Sequence, residues 1–189
     1  MITVYIKKIE PISETEKQNI INSLSFGAKE RLNKKRNKDL YLASLCVLSL
    51  LTNEQRENIE YNENGRPFFD KLNQDISISH SKNYVAIAIS NSISNFVGID
   101  IEDISDTTPT ARFLTSNEKT ALENGTPYLE IWTKKEALFK FLKKDSLNFI
   151  NLDSTNPNDY NAKFLTTKIE NSILTICTLN NAKIEIIQK

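Results

Sequence analysis

The chain is short of the residues that most often advertise chemistry. Its two cysteines, Cys46 and Cys177, stand far apart in 189 residues and lack metal-ligand spacing, so neither a disulfide framework nor a zinc site is expected. Both have apolar neighbours, where a thiol behaves as a small hydrophobic group. There is one histidine, His80, and no Gly-x-Ser-x-Gly elbow, which argues against a serine–histidine hydrolase. Neither sign of charge is in excess: 24 basic residues balance 24 acidic ones, so no global field points to nucleic acid. The N-terminus lacks the apolar stretch of a signal peptide. The longest apolar-rich run, Leu40 to Leu51, is interrupted by Ser44 and Ser49 and is too short to span a bilayer. A cytoplasmic protein without a membrane or nucleic-acid partner is the expectation, built as one compact domain or two small packed lobes.

Charge is nonetheless uneven. Between Ala28 and Lys38, the basic residues Lys29, Arg31, Lys34, Lys35, Arg36 and Lys38 face a single acid, Glu30. The stretch reads either as a solvated helix face or as a surface for a phosphate or an acidic protein.

Helices and strands come in groups rather than in strict alternation, which predicts an α+β fold. Ile2 to Ile9 alternates as a first strand. Ser13 with Glu16, and Thr115 with Glu118, have capping-box spacing and open helices. An apolar helix is predicted over Asp39 to Leu51, and a long one over Tyr128 to Lys144. Ile59 to Asn62 reads as a short strand, Gly65 suits a positive-φ turn, and Arg66 to Phe69 leaves it extended. Ile76 to Ser79 and Tyr84 to Ser90 read as strands, the second apolar on both faces and therefore central. After Asp159 come three β-type runs, Ala162 to Ile169, Ser172 to Leu179 and Lys183 to Ile187. Their short spacers predict antiparallel hairpins.

Two segments carry the chemistry. In Val97-Gly98-Ile99-Asp100-Ile101-Glu102 the aliphatic residues alternate with Gly98 and two acids, so a strand would bury one set and present both carboxylates on the other face. In Trp132-Thr133-Lys134-Lys135-Glu136-Ala137-Leu138-Phe139-Lys140, the residues Trp132, Glu136 and Lys140 recur every four positions and share one stripe of a helix. Three carboxylates of this kind offer hard oxygen ligands for Mg²⁺, and Lys140 a charge for a phosphate. They are equally compatible with a solvated edge strand and an ordinary surface ion pair. Trp132 is expected to wedge its helix against the strand.

Taken with Gly65-Arg66-Pro67 and Ile78-Ser79-His80-Ser81, these segments resemble, in order, the signature of the 4′-phosphopantetheinyl transferases, in particular the larger surfactin-synthetase-activating branch. The resemblance covers residues 26 to 145 and is strongest from Gly65 to Lys140. It implies a chain that is a monomer of two similar lobes related by a pseudo-twofold, each a small, mostly antiparallel sheet packed with helices. The lobes would be residues 1–97, on the coenzyme A adenine and 3′-phosphate side, and residues 98–189, with the metal and catalytic helix. It implies transfer of the phosphopantetheine arm of coenzyme A to a serine of an acyl or peptidyl carrier protein, with release of 3′,5′-ADP. Asp100, Glu102 and Glu136 would hold Mg²⁺, Glu136 would accept the serine proton, and Lys140 would stabilise the leaving side. Lys29, Arg66, Pro67, Ser79 and His80 would bind coenzyme A. Leu42 stands where the family commonly has a phosphate-gripping arginine. No glycine follows Gly125, although relatives turn through a glycine-containing segment after the last motif lysine. These departures motivate a second expectation, a catalytically weak relative that binds carrier proteins. A metal-dependent phosphohydrolase would leave the Gly65 and Ser79 motifs without a use.

Overall fold

Both capping boxes form. Ser13 and Glu16 exchange bonds, Ser13 N donating to Glu16 Oε2 at 2.8 Å, and Thr115 and Glu118 do the same. In the computed structural model the elements run β1 (Ile2–Lys8), α1 (Glu14–Ser23), α2 (Phe26–Lys34), α3 (Lys38–Ser44), the 3₁₀ segment Leu45–Leu50, α4 (Asn53–Glu57), β2 (Ile59–Tyr61) and β3 (Pro67–Phe69). They continue with β4 (Asp75–His80), β5 (Tyr84–Ser90), β6 (Val97–Asp103), α5 (Ser116–Glu123), α6 (Tyr128–Leu142), β7 (Ala162–Ile169), β8 (Ser172–Leu179) and β9 (Ile184–Gln188), with short 3₁₀ turns between some of them. The structure describes residues 1–23, 26–35, 37–63, 65–104, 111–143 and 148–188, with backbone alone at 23, 26–28, 46, 49, 57 and 111. Arg36, the turn after Lys143 and the side chain of Cys46 therefore lie outside the described residues.

The class is α+β. One sheet has the order β4-β5-β1-β9, a second β6-β8-β7, and β2 and β3 form a small hairpin. β5 is buried along its whole length, as its two apolar faces require. Tyr84, Ala86 and Ala88 join Ile2, Val4 and Ile6 in packing against Val97, Ile99, Ile101, Leu174 and Ile176 of the second sheet. On its other face Val85, Ile87 and Ile89 pack with Val47 and Leu51. The first sheet is thus covered on one side by helical turns and on the other by the second sheet, which carries α6 on its far face.

Two local expectations are corrected. The apolar helix predicted over Asp39 to Leu51 is α-helical only to Ser44, then tightens to 3₁₀. Residues three apart eclipse in a 3₁₀ turn, so Val47 with Leu50, and Leu48 with Leu51, can stack on one side and face the sheet. The spacer Asn180-Asn181-Ala182 does not make a hairpin. β8 already has β6 on one edge and β7 on the other, so β9 crosses to the first sheet and pairs in parallel with β1, Val4 opposite Ile186. The β7–β8 hairpin forms as expected.

Candidate functional site

The motif strand β6 lies at the edge of its sheet, yet its edge is not open. Period-2 residues of β4 take the place of a neighbouring strand: Asp75 Oδ2 accepts from Val97 N at 2.9 Å, Ser77 Oγ from Ile99 N at 3.1 Å and Ser79 Oγ from Ile101 N at 3.4 Å. Two carbonyls of the same edge are met by cations, Val97 O by Arg66 at 3.4 Å and Ile99 O by Lys140 Nζ at 3.0 Å. A buried backbone donor or acceptor left unpaired is costly, and side chains here satisfy what a strand otherwise would. The two sheets are joined where the motif residues sit.

Helix α6 reaches β6 through Gly98. A Cβ at that position would lie 2.0 Å from Ala137 O and 2.6 Å from Phe141 N, so the helix backbone rests directly on the strand. Thr133 Oγ1 meets Thr175 Oγ1 at 2.8 Å, and Thr175 meets Thr166 at 3.0 Å, a hydroxyl row from the helix into β8 and β7. On another side of α6, Lys135 is wholly buried and pairs with the equally buried Glu118 of α5 at 2.7 Å. Lys135 also donates to Leu152 O, while Glu118 accepts from Ser154 N at 3.0 Å and Ser154 Oγ at 2.7 Å. The sequence marks Glu118 only as a capping-box residue, and nothing in it pairs the two. Their signal was present as a lysine that breaks an apolar stripe and a capping-box glutamate, but the two are brought together only by the fold.

These contacts set Glu136 and Lys140 over the carboxylate face of β6. Asp100 is 3 % exposed, so the solvated-edge reading does not hold for it. Its Oδ1 accepts from Lys140 Nζ at 2.7 Å and from Ser79 Oγ at 2.8 Å, and Lys140 also donates to Ser79 Oγ at 3.1 Å. Among the described residues its buried Oδ2 has no hydrogen-bond partner. Desolvation first, then the charge of Asp100, pushes the Glu102 carboxyl up to about 7, against the pull of Lys140 and a bond from Trp132, with Glu136 adding to the rise. Glu136 is likewise raised by desolvation, with Lys140 opposing and Asp100 adding. The three acids therefore feel one another across a shared, poorly solvated space.

A cavity of about 360 Å³ adjoins this cluster, lined by Gly65, Arg66, Pro67, Glu136, Lys140 and Lys143, among others. Gly65 turns with φ +78°. The turn is held from behind by Arg31 of α2, whose guanidinium donates twice to Gly65 O at 3.1 Å and lies 3.6 Å over the Tyr61 ring. Lys143 caps α6 in the left-handed region, donates to Asp75 and stands 4.3 Å over Phe96. Lys143 in the wall, and Arg31 bracing Gly65 behind it, are residues that the motifs alone did not indicate.

The remaining sequence candidates are distributed as follows. His80 is exposed at the end of β4. Partial desolvation, then Lys35 and Lys140, keeps its imidazole below the ordinary range and neutral at pH 7. Ser81 serves the β4–β5 turn, accepting from Tyr84 N at 3.0 Å. Lys29 is exposed on α2, and it is Lys35 whose charge acts on His80. Leu42 is 2 % exposed in a cluster with Leu32 and Tyr41 and faces the core. Trp132 is half-buried, packed with Phe113, Tyr128 and Phe149. Cys177 is buried, and burial pushes its thiol well up, as a core residue requires.

Among the described residues, no three histidine, cysteine or acidic side chains are gathered closely enough to hold a metal as they stand. Lys140 supplies the counter-charge of Asp100. The donor set still suits a hard divalent cation: oxygen ligands only, one buried carboxylate oxygen without a partner, and two neighbouring acids whose charge is disfavoured until a cation arrives. No described helix is long and apolar enough to cross a membrane. No curated protein matches the chain significantly. The motif strand, α5, α6, β7 and β8, and with them all four charged groups of the cluster, fall within residues 96–183, the stretch that matches the family model of the 4′-phosphopantetheinyl transferase superfamily.

Proposed function

We propose that the protein moves the 4′-phosphopantetheine arm of coenzyme A onto a serine of an acyl or peptidyl carrier protein, in the manner of the surfactin-synthetase-activating branch. The observation that carries this reading is the meeting of Asp100, Glu102, Glu136 and Lys140 beside a cavity whose wall also contains Arg66 and Pro67. On this reading residues 1–97 form the nucleotide side of the site and residues 98–189 its catalytic side.

Asp100, Glu102 and Glu136 would hold Mg²⁺. When bound, the ion supplies neutralisation of the pyrophosphate charge. The rest is done by the chain. In the transfer, the serine oxygen bonds to the phosphorus that bears the pantetheine arm. The bond from that phosphorus to the bridging oxygen breaks, and 3′,5′-ADP leaves with the electron pair. A serine hydroxyl needs a base, and Glu136, which lines the cavity, would take its proton. Lys140 stabilises the charge that develops on the leaving side. Arg66 and Pro67 would shape the wall against the nucleotide, with His80 and Lys29 on the 3′-phosphate side.

The test is direct. With coenzyme A, Mg²⁺ and a panel of carrier proteins, mass spectrometry should show one phosphopantetheine added to a carrier serine. A folded protein that modifies no carrier, but binds one by calorimetry, would instead be a carrier-binding relative. The burial of Leu42, which removes one expected phosphate contact, is the observation that favours that second reading.

A further inference from the structure

The resemblance gives Ser79 to the coenzyme A pocket, but its hydroxyl is turned elsewhere. Ser79 is 8 % exposed, and its oxygen meets three groups of the motif strand and catalytic helix: Asp100 Oδ1 at 2.8 Å, Lys140 Nζ at 3.1 Å and Ile101 N at 3.4 Å. A hydroxyl has one proton to give and two lone pairs to receive, so donation to Asp100 and acceptance from Lys140 and Ile101 use its whole capacity. Asp100 Oδ1 is thereby occupied twice, by Ser79 and Lys140, and the buried Oδ2 has no partner among the described residues.

We infer that Ser79 is a positioning residue for the divalent-cation site: it fixes the carboxylate of Asp100 so that Oδ2 is the oxygen offered to the ion. The inference rests on the transferase reading above. The physical logic is that of an outer partner that orients a metal ligand, whose removal costs affinity although it never touches the metal. Lys140 alone cannot do this, because its flexible stem must be free to follow a phosphate.

Ser77 provides the control. It accepts from Ile99 N at 3.1 Å, the same kind of tie between β4 and β6, and among the described residues its hydroxyl makes no bond to Asp100. The experiment compares the wild type with Ser79→Ala, Ser79→Thr and Ser77→Ala. It reads Mn²⁺ binding by electron paramagnetic resonance with coenzyme A present, and coenzyme A binding by calorimetry with a chelator present. Ser79→Ala should weaken Mn²⁺ binding about tenfold or more, Ser79→Thr should restore most of it, and Ser77→Ala should stay within about twofold of wild type. Chelator-state coenzyme A affinity should not change in Ser79→Ala. Equal Mn²⁺ affinity in Ser79→Ala and wild type overturns the positioning role and leaves the transferase reading intact. So does a loss confined to coenzyme A affinity, or an equal loss in Ser77→Ala. A wild type that binds no divalent ion with coenzyme A present takes down the transferase reading and this inference together.

Discussion

Gly98 and Ala137 touch backbone to backbone: a methyl on Gly98 would stand 2.0 Å from the Ala137 carbonyl oxygen. That contact sets the height of α6 above β6, and with it the distance of Glu136 and Lys140 from Asp100. Gly98→Ala is expected to destabilise by about 2 kcal/mol or more, because the obstacle is helix backbone rather than a side chain that can turn away. Urea denaturation measures the loss, and transfer activity should fall further than the folded fraction does.

The buried pair Lys135–Glu118 gives a second prediction. Lys135→Met alone leaves Glu118 charged inside the protein and should cost about 3–5 kcal/mol. Adding Glu118→Gln removes that charge while keeping an oxygen for Ser154, so the double variant should recover most of the loss in thermal melts. A double variant no better than the single one would show that the pair contributes by more than charge compensation.

Asp100 should behave in the opposite way. It adds to the repulsion felt by Glu102 and Glu136, while Lys140 supplies its counter-charge. Asp100→Asn is expected to lower carrier modification by about a hundredfold or more, with stability unchanged within about 1 kcal/mol or raised. Retention of near-normal transfer would remove Asp100 from the chemistry.

Glu102 predicts a pH dependence. Its carboxyl is raised from 4.5 to about 7 in the folded chain, first by desolvation and then by Asp100. Between those values the folded state binds more protons than the unfolded one, so stability falls as pH rises through this window. In a chelating buffer, Glu102→Gln should flatten that fall. An unaltered slope between pH 5 and pH 7 would place its cause elsewhere.

His80 is neutral at pH 7 because desolvation and the charges of Lys35 and Lys140 disfavour imidazolium. It can still donate a hydrogen bond to a phosphate. His80→Ala is expected to raise the KM for coenzyme A by about tenfold with little change in kcat, the mark of lost ground-state binding. A fall in kcat alone would assign it to the chemical step.

Periodicity and spacing sufficed for much of what lies within one segment, though not for the tightening to 3₁₀ after Ser44. Alternation put Asp100 and Glu102 on one face of β6, a repeat of four put Trp132, Glu136 and Lys140 on one stripe of α6, and the capping boxes fixed where α1 and α5 begin. Such features depend on local backbone geometry, which the neighbours of each residue decide. Tertiary structure alone decided what meets across segments: the side chains of Asp75, Ser77 and Ser79 closing the edge of β6, Lys135 finding Glu118, Arg31 bracing Gly65, and β9 leaving β8 for β1. Each of these satisfies a buried polar group or an open strand edge, a demand that arises only once the chain is compact, so it leaves little trace in the local pattern.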